Sequence, residues 1–270
     1  MLDRLMGIKN ILWAVGIVVC LILLFIGFIF SAVTPYHGDG YARTPDLNAA
    51  KEQGGKVDVS KLDIVSGDGE VHSLLETEDA GDEYLQNAVI LTDSIMIGMR
   101  SQSLTGGDVW GSESGSLPMG SIATWNIVYS DGSKISPVDA CRVAKPPILI
   151  IAVGSDGLNA VTEEEFVAGY EKLISDIMDA SPGTKIICCS VCPVADGYSG
   201  HDGLTTAMTD KATEWVKQVC RDTGAYYADT AAVVRSGRDL LPKYASANNK
   251  ALNTAGLNEV IAFLRTHALS

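Results

Sequence analysis

Residues Asn87–Arg100 read NAVILTDSIMIGMR. The apolar run Ala88–Leu91 reads as a buried strand, and Ile95, Met96, Ile97 and Met99 read as the start of a helix. Thr92-Asp93-Ser94 stands between them. A strand that breaks into a helix at an Asp-Ser pair presents a hydroxyl at the carboxyl edge of a sheet, where open α/β folds hold their ligands. Ser94 is therefore a candidate nucleophile, with Asp93 beside it. The same residues also suit an ordinary helix N-cap, so the rest of the chain has to decide between the two.

Downstream, strands and helices alternate. Thr105–Gly120 is a loop by composition, and Trp125–Tyr129 with Lys134–Ile135 reads as a hairpin around Ser130-Asp131-Gly132-Ser133. Ser136-Pro137-Val138-Asp139 opens a helix that stops at Pro146-Pro147. Ile148–Val153 is an unbroken apolar run, as in a central parallel strand, and ends in Gly154-Ser155-Asp156-Gly157. Thr162 caps the next helix, with Glu165 at N3 and Phe166, Val167, Tyr170, Leu173, Ile174 and Ile177 on its buried face. Lys185–Val191 is a strand, Pro193–Leu204 a polar loop and Thr206–Arg221 a helix. Ala225–Ala228 is a short strand, and Leu252–Thr266 contains a C-terminal helix. This alternation predicts a three-layer α/β/α, flavodoxin-like parallel sheet over residues 84–270.

Upstream lies a different kind of chain. Ile11–Val33 is 23 residues without a charge, enough to span a hydrocarbon core of roughly 30 Å. A cleaved signal peptide is the alternative, but the run exceeds the usual h-region of about 7–15 residues and no A-x-A site follows. Arg4 and Lys9 precede the span, and Trp13 and Tyr36 suit its interfaces. The expectation is a short cytoplasmic segment at 1–10, a transmembrane signal anchor at 11–33 and everything beyond it outside the cytoplasm. Residues 34–83 read as a Gly- and Pro-containing linker. Pro35–Glu83 carries 12 Asp and Glu against 4 Lys and Arg, too polar to form a core.

A net charge of −13 argues against nucleic acid as a partner, because phosphate binding needs a basic surface. Five of the six cysteines follow the span, and five cannot all pair within one chain. Cys189-Ser190-Val191-Cys192 falls in a predicted strand, which would turn its two thiols to opposite faces, so buried apolar cysteine is the reading taken. The sequence has no Walker loop, no GxGxxG and no cluster of metal ligands, so no cofactor is expected.

Thr92-Asp93-Ser94-Ile95-Met96-Ile97-Gly98 resembles the first block of the SGNH/GDSL hydrolases, and further blocks follow in the family's order. Gly154-Ser155-Asp156-Gly157 occupies the place of the G-x-N-D block. Cys192-Pro193-Val194 falls where the family often has Pro-Val, and Asn248-Asn249-Lys250-Ala251 takes the place of the D-x-x-H block. The resemblance implies a serine that attacks an ester carbonyl, a histidine that takes its proton and an aspartate that orients the histidine. It also implies an oxyanion hole built from the serine amide, a block-two glycine and the block-three asparagine. Gly115 or Gly120 would be that glycine, and Gly154 would line the site.

This chain keeps Asp93 and Ser94 and departs elsewhere. Thr92 replaces the first glycine, Asp156 the asparagine, Asn248 the aspartate and Ala251 the histidine. A serine without a base in reach is a weak nucleophile, and a carboxylate at 156 opposes developing negative charge where an amide is typically worth about 2.7–4 kcal/mol. His201, in the loop leaving a strand's carboxyl end, is the candidate replacement base, ahead of Asp156 or Asp202. The sequence thus predicts a membrane-anchored, extracytoplasmic SGNH-hydrolase-like domain, catalytically impaired and acting in binding or scaffolding, with an envelope glycan or acylated polymer as ligand. An active esterase or acyltransferase on acylated envelope glycans, or an interaction module of a membrane complex, is the alternative. No particular protein partner is implied.

Overall fold

In the computed structural model, residues 70–269 are described. The predicted anchor at 11–33, the segment before it and most of the linker lie outside the described residues. Among the described residues no helix is long and apolar enough to cross a membrane.

Five parallel strands form the central sheet: β1 (Ala88–Thr92), β2 (Val109–Trp110), β5 (Ile148–Ala152), β6 (Lys185–Cys189) and β7 (Tyr226–Ala228). Their order is β2-β1-β5-β6-β7, the 2-1-3-4-5 arrangement of flavodoxin-like sheets. Between β2 and β5 the chain makes the predicted antiparallel hairpin, β3 (Ile127–Val128) with β4 (Lys134–Ile135). Side chains alternate across the sheet as a period of two demands. Val89, Leu91, Leu149 and Ile151 enter one apolar cluster, and Ala88, Ile90, Ile150 and Ala152 enter the other.

Helices cover both faces. α1 (Gly81–Gln86) precedes β1, and a single turn, α2 (Gly98–Ser101), follows it. α3 (Pro137–Ala144) starts where Ser136 accepts from the Asp139 amide and ends at Lys145 in the left-handed region. α4 (Glu163–Ala180) opens on a complete capping box between Thr162 and Glu165. α5 (Thr206–Thr223) ends at Gly224, and α6 (Thr254–Arg265) is capped by Asn253. Phe166, Tyr170, Val216 and Val219 fill the first cluster, while Leu257, Val260 and Leu264 of α6 fill the second. A second small hairpin, β8 (Arg235–Ser236) with β9 (Asp239–Leu240), lies between β7 and α6.

Four local expectations need correcting. The end of the acidic segment does not trail free of the domain. Leu74 N and Tyr227 N exchange bonds with Tyr227 O and His72 O at 2.8 and 2.9 Å, extending the sheet beyond β7, and Arg265 pairs with Asp79 and Asp82. The loop at 105–120 contains β2, too short at two residues to leave a pattern. The helix expected from Ile95 is reduced to one turn because the Ile95 carbonyl accepts from Leu252 N at 3.0 Å instead of from its own next turn. β6 stops at Cys189, since the Val191 amide turns to Thr213 Oγ1, and both Cys189 and Cys192 end in the second cluster. The five cysteines of the described residues are all buried and free.

Candidate active site

The order of the sheet reverses between β1 and β5, and this is where a crevice opens beyond the strand ends in such folds. Ser94 follows β1 and Asp156 follows β5, so register alone brings the first and third blocks together. The bond from Leu252 N to Ile95 O carries the fourth block to Ser94 as well.

Asp93 is 2% exposed and holds this junction together. Its Oδ2 accepts from Gly154 N at 3.1 Å, Ser155 N at 2.9 Å and Ser155 Oγ at 2.7 Å, and its Oδ1 accepts from Ile95 N at 3.1 Å. Gly154 has φ of 128°, and a Cβ there would stand 2.9 Å from Val191, so a side chain would break the turn that presents its amide. Burial, and then the nearby Asp156 charge, push Asp93 from 3.8 up to about 6 against the pull of its Ser155 and Ile95 hydrogen bonds. Thr92 is wholly buried at the end of β1 and takes no part in the crevice.

Asp156 is the centre of the site. It is 5% exposed. Oδ2 accepts from Ser94 N at 3.1 Å and Leu117 N at 3.0 Å, and Oδ1 accepts from Ser94 Oγ at 2.6 Å and Lys250 Nζ at 2.9 Å. Burial would raise its pKa, but the Ser94 and Lys250 bonds, the Lys250 charge and the Leu117 amide outweigh it and hold it below the ordinary carboxylate value. Lys250 also donates to Asp202 Oδ2 at 2.9 Å, and Tyr198 OH donates to Asp202 Oδ1 at 2.9 Å. Burial would lower the Lys250 pKa, but Asp202 and Asp156 outweigh it and keep the ammonium charged.

The residues named from sequence divide accordingly. Ser94, Asp93, Asp156 and Gly154 come together. The loop amide that enters the site is that of Leu117, not of either expected glycine. Gly115 gives its own amide to Ser112 O, and Gly120 is exposed on a short turn of 3-10 helix. Asn248 is exposed, and its Oδ1 accepts from Ser246 Oγ, Lys250 N and Ala251 N, a local turn that leaves it no reach toward Ser94. Ala251 lies next to Leu252 and so beside Ser94, but has no proton-carrying group. His201 is exposed and joins none of the contacts that link Ser94, Asp156, Lys250 and Asp202. Lys250, Leu117 and Tyr198 were not anticipated. Lys250 had a signal: it is the one cation of Asn248–Asn253, next to the position that lost a histidine, in a chain that had gained a carboxylate at 156. A backbone amide such as that of Leu117 has no sequence signal.

Among the described residues no group of three or more His, Cys, Asp or Glu is placed to hold a metal ion. The arrangement is an ion-paired network, with a serine hydroxyl donating into a carboxylate that has low proton affinity.

Residues 133–257 match the sequence model of the GDSL-like Lipase/Acylhydrolase family. The matched stretch contains Asp156 and the 248–251 block and begins after Ser94. No curated protein matches the chain by sequence. Among solved structures, the chain is similar to a GDSL-like lipase from Bacteroides thetaiotaomicron, with 11% identity, 68% of this chain and 87% of the other covered, and a TM-score of 0.45. It is similar to a carbohydrate esterase family 3 protein from Talaromyces cellulolyticus, with 13% identity, 66% and 94% covered, and a TM-score of 0.43. The periplasmic domain of a Salmonella Paratyphi A lipopolysaccharide acetyltransferase gives 10% identity, 77% and 98% covered, and a TM-score of 0.44.

Proposed function

We propose that this chain, whose residues 133–257 match the GDSL-like Lipase/Acylhydrolase family, has an ester-cleaving site closed by its own carboxylate, so that the domain works by binding. One observation carries this reading: Asp156 Oδ2 accepts from both Ser94 N and Leu117 N. These are the amides that face the crevice beside the nucleophile position. An ester carbonyl oxygen needs such donors as it gains charge, and here they already hold a full negative charge that Lys250 neutralises. The serine is no better served. Its only acceptor within the site is Asp156 at 2.6 Å, and a carboxylate held below its ordinary pKa is a poor general base. Residues 11–33 would anchor the domain outside the cytoplasmic membrane, where an envelope glycan or acylated polymer is the ligand class the family and topology favour.

The second reading is an active esterase or acyltransferase, favoured by the same 2.6 Å contact taken as a base in position. A third makes the anchored domain a scaffold in a membrane complex. A serine-directed fluorophosphonate applied to the full-length protein separates the first two. Wild type and Ser94→Ala should both stay unlabelled. Stoichiometric labelling that disappears in Ser94→Ala would establish a working nucleophile and end the closed-site reading.

A further inference from the structure

A cavity of about 440 Å³ opens on the surface between the loop after β2 and the β3–β4 hairpin. It is lined by Ser112, Glu113, Ser114, Thr124, Trp125, Asn126 and Lys134. Its size lies within the range of about 300–1,000 Å³ typical of small-ligand sites. Trp125 is 41% exposed, one of four large apolar side chains so exposed among the described residues, and the only one of these that lines the cavity. An exposed tryptophan has no packing reason to be there, whereas at binding surfaces it is the residue type most enriched in energetic hot spots.

The walls are built rather than incidental. Arg100 donates to Gly111 O at 2.7 Å and Ser112 O at 2.9 Å, fixing the loop from beneath. The Trp125 amide is held by Ser121 O at 2.9 Å. Glu113 and Lys134 pair across the cavity, giving an acceptor and a donor at its rim. The Asn126 side-chain amide has no protein partner among the described residues and is free to offer both.

We propose that this cavity is a saccharide subsite in which Trp125 stacks against a pyranose ring and Asn126, Glu113 and Lys134 take its hydroxyl or acetamido groups. The lining decides the class. It offers one aromatic face, whose negative quadrupole suits C–H groups, surrounded by short-range donors and acceptors and no second large apolar side chain. A lipid chain would want a continuous apolar wall, and a polyanion would meet Glu113 in a chain of net charge −13. The subsite shares its loop with the candidate active site, since the strand of chain from Ser112 leads to Leu117, whose amide binds Asp156. The assignment deepens the reading of the domain as a binder and rests on it for the choice of a glycan. It does not depend on whether Ser94 can react.

The test uses full-length protein in a detergent without a sugar headgroup. The protein is screened on an array of neutral and N-acetylated oligosaccharides, and the best binder is titrated by tryptophan fluorescence. Binding should change the emission, weaken by about tenfold or more in Trp125→Ala and Asn126→Ala, and largely return in Trp125→Phe. Melting temperatures should be unchanged, since both side chains are exposed. Absence of binding to every oligosaccharide, or binding unaffected by Trp125→Ala, overturns the proposal. The fluorophosphonate result is read separately. Ser94 labelling together with Trp125-dependent binding would sink the closed site and keep the subsite, and an inert Ser94 without sugar binding would do the reverse.

Discussion

Replacing Asp156 by Asn removes one charge from the centre of the site and changes almost no volume. An Asn whose oxygen stays on the Ser94 and Leu117 amides turns its NH2 toward Lys250, so that a donor meets a donor. Breaking a buried pair from one side costs about 3–5 kcal/mol when nothing compensates. Two effects compensate here. Lys250 keeps Asp202 at 2.9 Å, and Asp93 loses the neighbouring carboxylate that helps raise it to about 6. The expected net loss at pH 7 is about 2 kcal/mol, a fall in Tm of roughly 4–8 °C for a unit of this size. The pH dependence gives a second signature. Asp93 has a folded pKa above its unfolded one, so its stabilisation is complete below about pH 3.8 and is lost as pH rises through about 6. That shift corresponds to about 3 kcal/mol. Asp156 has the opposite sign: its depressed pKa stabilises the protein above the ordinary carboxylate range and is lost as pH falls below it. In Asp156→Asn the Asp93 loss shrinks, so the gap between variant and wild type should narrow from pH 4 to pH 7. Thermal melts by circular dichroism at several pH values measure this. Lys250→Met and the double variant complete a cycle, in which the double variant should recover about 1–3 kcal/mol relative to the sum of the singles. Additive single effects, or a gap that widens with pH, would refute the coupling.

Three further outcomes follow from the same structure. Restoring Asp156→Asn, Asn248→Asp and Ala251→His together should create Ser94-dependent hydrolysis of p-nitrophenyl acetate, and a folded but inert triple variant would count against the block alignment. Cys141, Cys188, Cys189, Cys192 and Cys220 are buried, with burial pushing Cys141 and Cys189 up to about 12, so Ellman's reagent should leave all five unmodified until denaturant is added. Arg265→Ala should speed amide exchange at Thr77 and Ala80, whose bonds to Thr266 O and Arg265 O rest on the Asp79 and Asp82 pairs, with little change in Tm. Exchange that stays at the wild-type rate would show that the backbone bonds alone hold the segment.

The sheet was legible because its strands carry their own pattern. Ile148–Val153 and Ala88–Leu91 are apolar throughout, as strands covered on both faces must be, and capping residues mark the helix starts at Ser136 and Thr162. What was not legible depends on contacts distant in sequence. Val109–Trp110 is a strand only because Ile90 and Leu91 lie alongside it. The Leu74 bond to Tyr227 joins two residues whose pairing no local rule predicts. In the site, Ser94 and Asp156 were readable as positions, each following a strand. Their hydrogen bond was not, because a carboxylate in place of an amide predicts repulsion of an oxyanion without saying where the carboxylate itself will rest.

The resting place of that carboxylate explains why the departures from the family pattern form a set. A change of Asn to Asp alone would bury an uncompensated charge next to Asp93, already destabilised as an anion by burial. The Ser94 hydroxyl, Lys250 and the Leu117 amide offset that cost, with Asp202 holding the ammonium in turn. A histidine at position 251 would gain nothing from this arrangement, since the Ser94 hydroxyl it would serve donates to Asp156 at 2.6 Å. Nor would an aspartate at 248 have a histidine to orient, and Asn248 instead ties the turn that carries Lys250 toward the crevice. Asp156, Lys250, Asn248 and Ala251 are thus mutually consistent as parts of one charge-balanced network. Every side-chain oxygen of Ser94, Asp93 and Asp156 has a hydrogen-bond partner in this network, so the buried charges are satisfied as well as balanced.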